Sequence, residues 1–101
     1  MVIFRGTTPT VGYRLPFPAS ELAEASIALA QNQTVIVEKN LSECERVDDR
    51  IFVVLTQEET LKLDAKKPVE VQLRVRLLTG TALATDPESV PAGRILRDGV
   101  I

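Results

Sequence analysis

The residue types able to do chemistry are few in this chain, and they stand apart from one another. No histidine occurs among its 101 residues, so a Ser-His-Asp triad, an imidazole acid/base pair and an imidazole metal site are all excluded. Cys44 is the single cysteine, so no internal disulfide forms. As a nucleophile it would need a thiolate, and the flanking Glu43 and Glu45 oppose that charge. It reads instead as a partly buried structural thiol. Asp48-Asp49 and Glu58-Glu59 are adjacent carboxylates of the kind that bind metals or cleave glycosides. Neighbours on a strand point to opposite faces, however, and neither pair has the spacing of a Ca²⁺ loop. They read as a polar turn and a helix cap. The five glycines are isolated, which leaves no glycine-rich cradle for a phosphate. The expectation is a protein that is not an enzyme, with no catalytic, cofactor-binding or metal-binding residues and no small-molecule substrate.

Two features could instead recognise another protein. Arg74 and Arg76 share one face of a strand, where bidentate pairing to an acidic partner is available to them. The alternative is a solvated face neutralised by Glu70 and by carboxylates on neighbouring strands. The second feature is the pair of apolar ends: Val2-Ile3-Phe4 opens the chain, and Ile95-Leu96 and Val100-Ile101 lie at its close. Ends are usually polar because they fray into water. Apolar ends need burial, either as edge strands of their own domain or against another subunit. Val2, Ile3, Phe4, Arg74, Arg76, Val100 and Ile101 are therefore the candidate partner-binding residues.

The elements that must hold these residues can be read from composition and periodicity. A chain of 101 residues, 45% hydrophobic and 26% charged, suits one folded domain. Its net charge of −2 supplies no electrostatic reason to bind nucleic acid or an anionic membrane. Only three apolar residues separate Met1 from Arg5, short of a secretory leader, and no apolar run is long enough to cross a bilayer. The expected setting is a reducing cytoplasm.

From Val69 to Leu78 aliphatic and polar residues alternate strictly, the pattern of a half-buried strand with Val71, Leu73 and Val75 facing the core. Thr79-Gly80 then turns the chain, and Thr81–Thr85 returns as an antiparallel partner. Ile51–Leu55 is β-branched and aromatic and reads as a central strand with both faces covered; Thr34–Glu38 has the same character. Val11, Tyr13, Leu15 and Phe17 alternate along another strand. Residues 19–31 fit helix or strand: Ser20 could cap a helical turn to Glu24, while Ala25–Ala30 alternates as a strand before a turn at Gln31-Asn32-Gln33. Thr56–Leu61 reads as one helical turn capped by Thr56. Short strands with short connections predict an all-β, mainly antiparallel fold, an immunoglobulin-like β-sandwich of about seven strands with one or two helical turns.

Several segments carry a family resemblance: Arg5-Gly6-Thr7-Thr8-Pro9-Thr10, Leu15-Pro16-Phe17, Leu55-Thr56-Gln57-Glu58-Glu59-Thr60-Leu61, Val71-Gln72-Leu73-Arg74-Val75 and Arg94-Ile95-Leu96-Arg97-Asp98-Gly99-Val100. Together they resemble small proteins of prophage structural gene clusters in gut Firmicutes. More loosely, the Arg-Gly-x-Thr opening looks like the N-terminal β-sandwich of phage baseplate upper proteins. One departure is Gln33, where the family's hairpin has glycine. The resemblance implies a structural or assembly component of a phage tail or baseplate. It implies other phage structural proteins or a second copy as partners, and residence in the bacterial cytoplasm during assembly and then in the virion. It carries no catalytic residues. The alternative is an adhesin-like module for a carbohydrate or host protein, for which the absence of tryptophan is unfavourable.

Overall fold

The computed structural model describes residues 1–101. Alternation becomes architecture most directly in strands β3 (Leu22–Gln31) and β7 (Val69–Leu77), which pair antiparallel from Leu22 opposite Leu77 to Ala30 opposite Glu70. Their period of two sends Ala25, Ile27 and Leu29 inward beside Val71, Leu73 and Val75, all of them buried. Strand β4 (Thr34–Asn40) flanks β3, and β8 (Ala82–Ala84) and β9 (Glu88–Val90) share the other side of β7. Between those two short strands Thr85 keeps the ladder unbroken. Its amide donates to the Leu73 carbonyl, and its hydroxyl accepts from the Leu73 amide at 3.0 Å.

The second layer is a three-stranded antiparallel sheet in which β6 (Arg50–Val54) lies between β2 (Thr10–Arg14) and β5 (Glu45–Val47). Ile51 and Val53 of β6 and Val11 of β2 point at the larger sheet. With Leu15, Leu55, Leu63 and the inward residues of β3 and β7 they belong to one cluster of 18 buried apolar side chains, which Ile3, Ala19, Val37 and Val90 complete. β1 (Ile3–Phe4) and β10 (Ala92–Gly93) make a two-residue parallel pair that joins the ends of the chain. The strand segments number ten where about seven are expected. The surplus comes from the edge beside β7, broken into β8 and β9, and from the short separate pair of β1 and β10.

Several local expectations are corrected. Ser20 caps nothing: a 3₁₀ turn occupies Ala19–Glu21, its N-cap is Pro18, and the strand starts at Leu22, which is buried opposite Leu77. Burial of Leu22 overrides the helix propensity of the segment. β6 is central to its sheet, but only one of its faces is covered, and Val54 is 54% exposed. β4 is an edge strand with Val37 alone buried, so its apolar run reflects β-propensity and not a central position. The hairpin between β3 and β4 closes tightly without glycine: Gln31 pairs with Thr34, and Asn32 and Gln33 take left-handed φ of 50° and 64°. Tyr13, placed in the core by its alternation, is half-buried.

Thr56 caps the single α-helix, α1 (Gln57–Leu61), as its sequence predicts. The Glu59 amide donates to its hydroxyl at 3.2 Å, and the Glu59 carboxylate accepts from the Thr56 amide at 2.8 Å.

Candidate partner-binding surfaces

The seven candidate residues fall into two groups set at opposite ends of β7. Around its N-terminal end the two chain termini meet. Ile3 is fully buried in the core, and its amide donates to the Pro91 carbonyl. It is therefore withdrawn from the partner-binding set: burial of one face of β1 removes it from contact with anything outside the domain. Val2 and Phe4, on the other face, stay 44% and 49% exposed, and Val100 and Ile101 are 49% and 91% exposed. Phe4 lies flat on the backbone of Gly93, where any side chain at position 93 would collide with its ring.

Arg5 holds this end together. Its guanidinium donates from Nε to the Leu63 carbonyl at 2.7 Å and from Nη2 to the Leu61 carbonyl at 2.9 Å, and it pairs with Asp98. These are carbonyls that the end of α1 leaves without helical partners. Thr60, fully buried, donates its hydroxyl to the Thr7 carbonyl at 2.8 Å, and Gln57 exchanges two hydrogen bonds with the backbone of Ile101. The apolar ends are thus docked on their own domain, with one side of each turned outward.

Arg74 and Arg76 lie at the far end of β7, on the exposed face of the larger sheet, with Glu24 of β3 opposite Arg76 and Ser26 opposite Arg74. Glu70 stands at the other end of β7, and the carboxylate directly across the ladder from the arginine pair is Glu24, opposite Arg76. Hydrogen bonds from the backbone amides of Ala25 and Leu41, and the nearby Arg76 charge, hold Glu24 below the usual carboxylate range.

The groups weighed for chemistry have structural surroundings. Cys44 is half-buried against the core; burial and the Glu43 charge push its thiol up, away from a nucleophilic thiolate. Asp48 and Asp49 form the two-residue turn between β5 and β6, Asp48 at a left-handed φ of 53°. Their carbonyls accept the amides of Ala19 and Leu15, and the Asp49 carboxylate accepts from Arg14 at 3.1 Å. Glu58 is exposed on α1, whereas Glu59 pairs with Lys39 of β4 at 2.5 Å. Burial works to raise the Glu59 carboxyl, but the bonds from Lys39 and Thr56 outweigh it and leave it lowered. An open bay of about 990 Å³ lies beside Pro16-Phe17-Pro18 and is lined also by Arg46, Asp48 and Asp49.

Sequence reasoning passed over Arg5, Gln31 and Lys39. Gln31 is buried where β3 turns: its amide nitrogen donates to the carbonyls of Asp64 and Lys67, and its oxygen accepts from the Asp64 amide at 2.8 Å. Its place in the alternation, two residues beyond Leu29, was the available signal.

Neither a family model nor a curated protein matches this chain. Among solved structures it is similar to the immunoglobulin-like domain of mouse leukocyte-associated immunoglobulin-like receptor 1, determined as a strand-swapped dimer. The TM-score is 0.51 at 10% identity, over 91% of this chain and 85% of that one. At that identity the likeness is one of fold. The strand order agrees with it: β2-β6-β5 follows the B-E-D order of such sandwiches and β3-β7-β8 the C-F-G order, with β4 added beside the C position. The chain is an immunoglobulin-like β-sandwich.

Proposed function

We propose that this chain is a non-catalytic assembly component of a phage or prophage tail or baseplate, working through protein-protein contacts in the bacterial cytoplasm and then in the particle. The observation that carries this reading is the docked terminal end. Phe4, Val2, Val100 and Ile101 are outward-facing apolar residues on backbone that Arg5 and Gln57 hold in place. An apolar surface presented on an ordered scaffold supports a contact role, because little further ordering is needed when a partner covers it. The resemblance to prophage structural-cluster proteins supplies the setting. The strand-swapped dimer of the mouse receptor domain is a precedent for self-association in this architecture.

Prophage induction followed by quantitative mass spectrometry of purified particles tests the proposal. The chain should be present at a fixed multiple of the tail symmetry, and its absence from particles and assembly intermediates overturns the reading. Replacing Val2, Phe4 and Ile101 together by serine should abolish incorporation while leaving the fold intact by circular dichroism.

A further inference from the structure

The exposed face of the larger sheet has a floor of small residues between two opposite charges. Along β3 the outward positions are Ser26, Ala28 and Ala30, so the centre of the face is shallow and a flat partner can come close. On one side β4 places Glu38 beside Ala28; on the other β7 places Arg74 beside Ser26. Neither takes part in any ion pair of the chain. Glu38 accepts only a long bond from Ser26, 3.4 Å. Both charges border one depression of about 470 Å³, whose lining also holds Glu24 and Arg76, opposite each other across β3 and β7 and so offsetting one another.

We infer that this face binds a second copy of the chain. The inference rests on the proposed assembly role and names a partner for it. An acidic partner would meet Glu38 and a basic one Arg74, each leaving one charge opposed by its like. A second copy satisfies both. Glu38 stands in the row of Ala28 and Arg74 in the row of Ser26, one strand to either side of β3. A two-fold axis lying in the interface and crossing β3 between those rows therefore exchanges the two positions. Each Arg74 then meets Glu38 of the partner copy, giving two equivalent ion pairs from one self-complementary surface. Val35, exposed beside Ala30, adds apolar area to the same face. Strands about 4.8 Å apart and rising about 3.4 Å per residue, with β8 and β9 short, give a planar face of about 500 Å². That is below the roughly 800 Å² per partner of a standard interface and fits a weak dimer that depends on its ion pairs.

Sedimentation equilibrium of the full chain tests this, comparing wild type, Glu38→Arg, Arg74→Glu and the double exchange. Wild type should be a dimer that salt weakens. Each single exchange should weaken it about a hundred-fold or more, since like charges then meet twice, and the double exchange should restore it. Glu38 and Arg74 make no ion pair within the chain, so at concentrations where all four proteins are monomeric they should melt alike. A monomeric wild type, dimers indifferent to the single exchanges, or single exchanges that the double exchange does not rescue would each overturn the inference. Particle incorporation remains a separate readout: a chain that is monomeric yet present in purified particles keeps the assembly role and loses only the second copy as occupant of this face.

Discussion

The seam between β3 and β7 and the clasp that joins the chain ends hold the same molecule by different means. The seam is a long antiparallel ladder backed by alternating aliphatic side chains, so its strength is spread over many residues that are buried in the same step. The clasp pairs only two residues of β1 with two of β10, buries one apolar side chain, Ile3, and hangs otherwise on single polar side chains: Arg5, Thr60 and Gln57. Loss of a seam residue should therefore weaken the whole domain, whereas loss of a clasp residue should open one end.

The largest effect is expected at the seam. Leu73→Ala, removing a buried side chain between the sheets, should lower the unfolding free energy by about 2–5 kcal/mol in urea titration. A loss below roughly 0.5 kcal/mol, the range of surface substitutions, would mean that the seam is not the core. Arg5→Ala should come next at about 2 kcal/mol, because it leaves the Leu61 and Leu63 carbonyls without their charged donor. Hydrogen exchange should then quicken at the amides of positions 3 and 5, which donate to Pro91 and Gly93, and stay slow at Ile27 and Val75. Uniform acceleration would erase the distinction between clasp and seam. Arg5→Lys should recover only part of the loss, since an ammonium cannot reproduce the guanidinium fork.

Lys39 and Glu59 join β4 to α1, linking the seam's sheet to the helix on which the clasp rests. The lowered Glu59 carboxyl contributes stability that is present above its ordinary value of 4.5 and is lost as pH falls through the shifted value. Lys39 is raised, first by its hydrogen bond to Glu59, so its contribution is present below 10.5 and disappears as pH climbs through the folded value. Glu59→Gln should remove about 1 kcal/mol between these limits and flatten both flanks of the stability profile. An unchanged acid flank would show that the pair does not couple the two regions. The smallest effect is expected at the β3–β4 hairpin: Gln33→Gly should raise stability by about 0.5 kcal/mol, because the left-handed φ of 64° suits glycine and its strain relief exceeds the added chain entropy. A loss on calorimetry would mean that Gln33 makes a compensating contact.

Legibility in the sequence followed the same division. In the seam the periodicity of Val69–Leu77 defines strand, facing and core at once, because each side chain's environment follows from its parity. The Thr56 cap was legible for a similar reason: its four-residue signature is satisfied by local backbone groups alone. At the clasp the sequence showed only that both ends are apolar. Whether they meet each other, which face of β1 turns inward and what Arg5 binds depend on contacts with |i−j| of 56 to 93, and no local pattern encodes those.

Taken by itself, then, the sequence determined the strand character of the chain, its single core and the absence of histidine chemistry, since these depend on residue type and near-neighbour spacing. Tertiary structure alone decided that the Thr34–Glu38 run belongs to an edge strand, that Leu22 belongs to a strand although its segment favours helix, and that Ile3 is core while Phe4 is surface. It also decided that Glu38 and Arg74, far apart in the chain, flank the same strand. The physical reason is common to all four. Burial is a property of what lies opposite a residue across the sheet or the sandwich, and that neighbour is chosen by the collapse of the whole domain.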